Sequence, residues 1–374
     1  MRTSRLTAAL GLLAVLAASA AGAVRTADVA AAGSPAWTRV PGALPPGFVY
    51  RYDSPTYYGW PVAPVHREHP IRGSFLDARG GGYHFGVDIA VDDGEHVAGA
   101  PKGLSHPVYA VDGGLADLRP GDRRVGCVNR RLDVGRFAFW HVSPIVTQHQ
   151  RIRPGQQIGW TCEGLWHVHL SEWQVLAGAR VWVNPLHEGG KLTPYRNAEF
   201  PVIEQVRFFG PPRSPWRSWT QPDPADPVRP RALHGSVDIR AKVEDRQTFA
   251  GFLGKDPRLP APDAPYKLGI EILDARDKAV LRDTAFQADL LPAGSPWYVH
   301  FAPGTLPDLS IEACLKVKAG VPCVPSHWYR PLSRYALRLW DTRRVPNGGY
   351  TVVISSSDSQ GNLAVARVPV TVAN

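Results

Sequence analysis

The chain has 374 residues, a length that favours two domains and allows more than one hydrophobic core. Its formal net charge of +9 and its isoelectric point of about 9.5 predict long-range attraction to anionic polymers. The sequence contains no block of lysine and arginine and no nucleic-acid-binding motif, so nucleic acid is not the predicted partner.

The first 23 residues have the three parts of a secretory signal peptide. Arg2 and Arg5 give a basic start, residues 6–18 are rich in Leu, Ala and Val, and small residues at 18–23 offer a cleavage site. The apolar run is too short for a comfortable membrane anchor, and no later stretch reaches membrane length. We therefore predict a signal peptide over residues 1–23, a mature chain without a membrane span, and export to the periplasm, the cell wall or the medium. An anionic polymer of the cell envelope is then the predicted partner, while the oligomeric state is left open.

Residues 24–64 are rich in proline, alanine and aromatic residues, which predicts an extended segment packed on the domain that follows. Residues 65–195 alternate short β-type runs with glycine-rich turns. Ten of the 13 histidines lie between His66 and His187. This concentration of histidine places the chemistry of the protein in its N-terminal half.

Residues 196–231 are predicted to form a linker, because seven prolines lie between positions 211 and 230 and proline cannot donate to a β-ladder. Trp216 and Trp219 in this segment suit either a sugar-binding platform or, preferably, a hydrophobic anchor of the linker on a domain.

Residues 232–374 show the period-two alternation of β-strands, separated by glycine-containing turns. One face of the first strand is formed by Val237, Ile239, Ala241 and Val243. The pattern predicts an accessory antiparallel β-sandwich, which resembles the immunoglobulin-like or fibronectin-like domains of surface proteins. Because amphipathic helical periodicity is scarce after the signal peptide, the whole mature chain is predicted to be all-β.

Four cysteines in an exported chain predict two disulfides, for which three connectivities are possible. Cys314 and Cys323 are close in sequence, which favours their pairing and leaves Cys127 with Cys162. No Cys-x-x-Cys spacing occurs, so a metal site built on cysteine is disfavoured.

Two short motifs bring together the residue types that bind zinc. His84 and Asp88 are four residues apart, and they share a face in an extended segment because side chains alternate with a period of two. His167 and His169 share a face of a second predicted strand for the same reason. A catalytic zinc ion takes three histidine or carboxylate ligands and leaves a fourth position for water.

These motifs belong to an ordered series in which the spacing resembles that of the lysostaphin-type zinc endopeptidases, which cut peptidoglycan cross-links. The resemblance covers about residues 65–190, roughly one third of the chain. In chain order its motifs are Arg72-Gly73-Ser74-Phe75, His84-Phe85-Gly86-Val87-Asp88, Phe139-Trp140-His141-Val142, Pro154-Gly155-Gln156-Gln157-Ile158-Gly159 and His167-Val168-His169-Leu170.

The resemblance implies a groove on an antiparallel β-sheet in which His84, Asp88 and His169 bind Zn²⁺. His141 and His167 would then be catalytic histidines without a metal bond, one acting as general base and the other stabilising the oxyanion, in either order. A Cys127–Cys162 disulfide would brace two walls of this groove.

The sequence departs from the family pattern at three positions beside the last two histidine motifs. Leu165 and Trp166 stand where the family has a Gly-Pro or similar pair, and Phe139 stands where it has tyrosine. These changes, together with Trp140, make the predicted groove bulkier and more aromatic, which bears on substrate preference more than on metal binding.

The predicted function is that of an exported zinc metalloendopeptidase that hydrolyses peptide bonds in peptidoglycan stem peptides or cross-bridges. Two alternatives remain open from sequence. One is a catalytically inactive relative that binds peptidoglycan or regulates another hydrolase, and the other is a secreted peptidase that acts on proteins.

Overall fold

A computed structural model describes residues 40–80, 82–91, 97–119, 127, 129–246, 262–292, 296–307 and 326–374. These parts of the chain form antiparallel sheets almost exclusively, so the predicted all-β class is confirmed. The predicted signal peptide and the predicted Cys314–Cys323 pair lie outside the described residues. Among the residues described, no helix is long and apolar enough to span a membrane.

The strands of the N-terminal half are, in chain order, β1 Ile71–Gly73, β2 Ala78–Arg79, β3 Gly82–Tyr83, β4 Val87–Ala90, β5 Leu104–Tyr109, β6 Gly114–Arg119, β7 Arg131–Val134, β8 Phe137–Trp140, β9 Val142–Pro144, β10 Arg151–Ile152, β11 Gln157–Cys162, β12 His167–Leu176 and β13 Ala179–Val183. The strands that follow are β14 Val202–Phe209, β15 Ser236–Glu244, β16 Lys267–Leu273, β17 Ala279–Gln287, β18 Trp328–Tyr329, β19 Trp340–Asp341, β20 Gly348–Ser357 and β21 Leu363–Val372. A one-turn helix, α1, spans Trp297–His300, and a 3₁₀ turn spans Thr342–Arg344.

The main sheet of the N-terminal half has the order β1-β4-β12-β8-β7-β6-β10, with β13 paired to the far end of β12. A second sheet has the order β5-β11-β9, and β2 and β3 form a separate small hairpin. The long strand β12 lies centrally, between β4 and β8. Strands β5 and β6 are consecutive along the chain, but β5 pairs with β11 and β6 pairs with β7, so they belong to different sheets.

Alternation along β12 divides its side chains between two faces. Val168 and Leu170 are fully buried and belong to the hydrophobic core, which also receives Val87 and Ile89 of β4. His169 and Ser171 therefore face the other side of the sheet, as their spacing predicts. The apolar face fixes the register of the strand, because a one-residue slip would bring the histidines into the core.

The C-terminal module (residues 202–374) contains two four-stranded sheets, β14-β15-β18 with β19 also on β15, and β17-β16-β20-β21. Val237, Ile239, Ala241 and Val243 are buried in its core, as the alternation predicts. Strand β14 lies within residues 196–231, which the sequence assigns to a linker, but it contains no proline and ends before the proline run at 211–230. It pairs along its length with β15, so this part of the segment is integrated into a sheet.

The described part of the predicted extended segment, residues 40–64, forms no regular strand. Its first residues, 41–44, bond to residues 287–290 of the C-terminal module, and residues 51–64 pack on the N-terminal half. The backbone amides of Asp53 and Ser54 both donate to the Asp112 carboxylate, at 2.8 Å each. The buried ammonium of Lys191 contacts the carbonyls of Ser54 and Tyr57. These contacts replace the ladder hydrogen bonds that the segment lacks.

Trp216 and Trp219 act as anchors, the preferred of the two predictions for them. Trp216 is buried, and its ring contacts Trp219 at 5.6 Å and Trp297 at 5.3 Å between centroids. Trp219 stacks on Trp297 at 3.9 Å. Rings that pack against one another in this way offer no free platform for a sugar.

The C-terminal module buries a histidine that should make the fold acid-sensitive. Burial, together with Arg79 and Lys242, lowers the pKa of His327 from 6.5 to about 3, and neither ring nitrogen has a hydrogen-bond partner among the described residues. Below about pH 6.5 the unfolded chain takes up a proton that the folded chain refuses, so the free energy of unfolding falls as the pH falls towards 3.

We expect His327→Leu to reduce this acid sensitivity. Between about pH 7.5 and about pH 5, the variant should lose about 2 kcal/mol less unfolding free energy than the parent. Urea unfolding at both pH values, with chelator present throughout to separate any effect of metal release, measures the difference. An equal loss in both proteins would contradict the assignment of His327 as a buried neutral group.

Candidate metal centre

Three buried side chains converge at the junction of β4 and β12. His84 Nε2, Asp88 Oδ1 and His169 Nδ1 form a triangle with sides of 2.8 Å (His84 to His169), 3.0 Å (His169 to Asp88) and 3.2 Å (His84 to Asp88). They form a group able to hold a metal ion. Asp88 and His169 are direct partners in the register of the two strands, and His84 enters from the end of the β2–β3 hairpin. The three residues predicted as metal ligands are therefore together.

The donor set and its spacing fit a zinc ion. Two histidine nitrogens and one carboxylate oxygen are the ligand types of catalytic zinc sites. Bonds of about 2.0–2.1 Å to a tetrahedral ion place ligand atoms about 3.3 Å apart, close to the sides of the observed triangle. Burial raises the pKa of Asp88, but His84, His167 and Arg79 outweigh it and hold that pKa well below its usual value. Burial, with Arg79 nearby, lowers the pKa of His84 to about 4, so both side chains are in the metal-binding form at neutral pH.

Hydrogen bonds to the outer atoms orient each ligand. His84 Nδ1 donates to the Ser74 carbonyl at 2.7 Å, which leaves the Nε2 lone pair directed into the triangle. Arg79 donates to Asp88 Oδ2 at 2.7 Å and leaves Oδ1 available. His169 Nε2 lies 2.8 Å from the buried hydroxyl of Ser171, and when Nδ1 is the ligand atom Nε2–H donates a hydrogen bond to this hydroxyl.

Gly86 explains why the first motif needs glycine between its two ligands. A Cβ at this position would lie 2.5 Å from the Leu170 carbonyl, 2.6 Å from His169 Nε2 and 2.7 Å from Ser171 Oγ. No side chain fits there without moving β12 or the His169 ring. The glycine thus allows the turn after His84 to approach the strand that carries the third ligand.

His167 lies beside the triangle and is not part of it. Its Nδ1 lies 2.5 Å from the Leu165 carbonyl and 2.9 Å from Arg72 Nη1, and in the tautomer that donates to Leu165 this nitrogen carries the proton. The opposite nitrogen, Nε2, is then an acceptor and lies 3.5 Å from Asp88 Oδ1. Arg72 donates to the same Leu165 carbonyl at 2.6 Å and so fixes the group that orients the ring. Burial, opposed by Asp88 but reinforced by Arg72 and His141, lowers the pKa of His167 well below its usual value.

His141 is adjacent to His167 in space, with 4.7 Å between ring centroids, and is 6.4 Å from the His169 ring. It lies between β8 and β9 and has a φ of 65°. This left-handed conformation ends β8 and sends the chain from the main sheet into the β5-β11-β9 sheet. The break turns His141 towards His167, and both predicted catalytic histidines stand next to the triangle.

Aromatic rings form one wall beside the centre. The Phe85 ring lies 5.1 Å from His169, 6.0 Å from Trp140 and 5.5 Å from Trp182. The Arg131 guanidinium contacts the rings of Trp140 and Trp182 at 5.0 Å and 5.5 Å and pairs with both oxygens of Asp133. The sequence indicates Trp140 as part of a bulky, aromatic groove. It gives no indication of Trp182 on β13, because no motif lies near Trp182 in sequence.

The disulfide between Cys127 and Cys162 forms as predicted, with 5.7 Å between Cα atoms. Cys162 ends β11, and its amide donates to the His141 carbonyl at 3.0 Å. The Cys127 carbonyl accepts a hydrogen bond from the Arg130 amide, and the Arg130 carbonyl accepts one from the His141 amide. The crosslink therefore joins the two backbone segments that hold His141 in its left-handed conformation.

Two positioning arginines were not identified from sequence. Arg72 was part of a quoted motif without a role, and Arg79 carried no signal at all. The Arg72 guanidinium acts on Leu165, 93 residues away, and the Arg79 guanidinium acts on Asp88, 9 residues away. Glu172, by contrast, lies on the opposite face of β12, where it accepts from Tyr52 at 3.1 Å and lies 3.4 Å from His187.

Comparisons with protein-family models, with curated proteins and with solved structures gave no match.

Proposed function

We propose that the protein is an exported zinc metalloendopeptidase that hydrolyses peptide bonds in the stem peptides or cross-bridges of peptidoglycan. The observation that carries the proposal is the combination of a two-histidine, one-carboxylate triangle with two further histidines beside it. A structural zinc site is closed by a fourth protein ligand, whereas this group contributes three. The neighbouring histidines supply what hydrolysis needs in addition.

The roles of the side chains follow from their hydrogen bonds. Zn²⁺ held by His84, Asp88 and His169 would supply the Lewis acidity that activates water and polarises a carbonyl. His167 presents a free Nε2 lone pair towards the centre and is oriented to take a proton. His141, with its ring 4.7 Å from that of His167, is the second histidine beside the triangle, and one of the two would take the proton while the other donates to the oxygen on which negative charge develops. Which of the two histidines does which is open, because both rings lie next to the triangle.

The choice of an envelope substrate rests on charge, on export and on the motif series. A chain of net charge +9 is attracted to anionic polymers over distances beyond contact. The predicted signal peptide and the Cys127–Cys162 disulfide suit a compartment outside the cytoplasm. The aromatic wall of Phe85, Trp140 and Trp182 would contact substrate residues on one side of the scissile bond.

Digestion of purified peptidoglycan tests the proposal. We expect the purified protein to release fragments with new amino termini and intact glycan, as measured by mass spectrometry. A chelator should abolish this release and added zinc should restore it, while the same chelator saturated with zinc beforehand should have no effect. Intact peptidoglycan under all conditions would contradict the proposal; binding without cleavage would then favour the inactive relative, and cleavage of a glycine-rich protein the secreted peptidase.

A further inference from the structure

The segment that orients two of the metal ligands is itself held by the C-terminal module. We call residues 74–80 and 82–84 the support segment. It provides the Ser74 carbonyl that fixes His84, and the Arg79 side chain that holds Asp88 Oδ2. Two backbone hydrogen bonds connect its two ends. The His84 amide donates to the Asp77 carbonyl at 2.8 Å, and the Leu76 amide donates to the His84 carbonyl at 2.9 Å.

One end of the support segment is bound by the backbone of Ala264. The Ala264 amide donates to Asp77 Oδ1 at 2.6 Å and to Ser74 Oγ at 2.9 Å. The other oxygen of Asp77 receives the Ser74 amide at 2.7 Å. Asp77 is buried, so these bonds are not replaceable by water. A residue 190 positions away in sequence therefore sets where the Ser74 carbonyl points.

The other end of the support segment, the β2–β3 hairpin, is bound on both strands. On β2, Trp219 Nε1 donates to the Arg79 carbonyl at 3.0 Å, and the Trp219 ring stacks on Trp297 at 3.9 Å. On β3, the Tyr83 hydroxyl lies 2.7 Å from His300 Nδ1. The opposite nitrogen of His300 donates to the Arg334 carbonyl at 2.7 Å, so Nδ1 is the acceptor and Tyr83 the donor.

We infer that the C-terminal module acts as a positioning element of the metal centre, through Trp219 on Arg79, His300 on Tyr83, and Ala264 on Asp77. The inference rests on the zinc site of the proposed function. Three contacts from three separate parts of the module end on one short segment, and that segment holds two of the three ligands. The module is then more than a device for attachment to the envelope, because without it the outer atoms of His84 and Asp88 lose their fixed partners.

Coupling of this kind works in both directions. If docking of the module strengthens zinc binding, zinc binding must strengthen docking by the same factor. Zinc should therefore protect the part of the module that lies against the support segment, including residues 296–307, although none of these residues belongs to the group that could hold the ion. This reciprocal effect separates a positioning role from an ordinary contribution to the stability of the module.

The test compares zinc affinities in the full chain by competition with a chromophoric chelator. The variant Trp219→Phe combined with Tyr83→Phe keeps an aromatic ring at each position and removes both hydrogen-bond donors. We expect zinc to bind roughly 4- to 100-fold more weakly, from about 2- to 10-fold for each bond. Arg79→Met should weaken zinc binding by about 10- to 100-fold. The matched control is Trp340→Phe, which alters a buried tryptophan of the same module that contacts Tyr350, and its affinity should equal that of the parent.

Hydrogen exchange provides the second readout. Zinc should slow amide exchange in residues 296–307 of the parent and of Trp340→Phe, and should slow it less in the double variant. Unchanged zinc affinity and unchanged protection in the double variant would overturn the inference while leaving the zinc site intact. A parent protein that binds no zinc would overturn the proposed function itself, so the two failures are distinguishable.

Discussion

Replacing His169 by alanine is expected to abolish zinc binding at concentrations that saturate the parent protein. His169 Nδ1 forms two sides of the ligand triangle, at 2.8 Å from His84 and 3.0 Å from Asp88. Removing it leaves one nitrogen and one oxygen, too few for a site that relies on three protein ligands. The loss of zinc affinity should exceed the roughly 10- to 100-fold loss expected when only a hydrogen-bond partner of a metal ligand is removed. Cleavage of peptidoglycan should disappear with the metal.

Ser171→Ala is the matched control for this variant. It keeps the His169 ring and removes the hydroxyl that accepts from Nε2 at 2.8 Å. Zinc affinity should fall by about 10- to 100-fold, and excess zinc should restore activity. Each protein is dialysed against a trace concentration of zinc, and its zinc content is then measured by native mass spectrometry. One tightly bound zinc ion in His169→Ala would show that the metal is held elsewhere.

The residues of the centre were predictable from sequence because the motifs encode local geometry. His167 and His169 alternate on one strand and share a face whatever the rest of the fold does. His84 and Asp88 do not lie on one strand as predicted, and the turn at Gly86 between β3 and β4 brings them together. The buried faces of β12 and β15 followed from the same period of two. Predictions of this kind depend on neighbours in sequence, and they agreed with the structure.

Contacts between distant segments and exceptional backbone conformations were not predictable. The left-handed conformation of His141 breaks a run of residues that otherwise reads as one strand. The support of Arg79 by Trp219 joins residues 140 positions apart. Each depends on tertiary structure that no local pattern encodes.

Replacing His167 by alanine should have the opposite signature to His169→Ala, with zinc retained and turnover lost. Both histidines lie on β12, two residues apart and on the same face, yet only His169 belongs to the ligand triangle. His167 Nε2 is 3.5 Å from Asp88 Oδ1, and its ring is held by the Leu165 carbonyl. We expect kcat to fall by about 10²- to 10⁴-fold, the usual effect of removing a general acid or base. KM should change little, because His167 contributes to proton transfer more than to binding.

Three further variants refine this assignment. His141→Ala should also keep zinc, and a similar fall in kcat would indicate that both histidines act in the same step. Arg72→Met removes the donor to the Leu165 carbonyl and should lower kcat less than His167→Ala does, because the His167 ring remains. His187→Ala, on the opposite face of the sheet, should retain zinc and full turnover. If His167→Ala also emptied the metal site, the two histidines would share one task, and the division of roles along β12 would have to be abandoned.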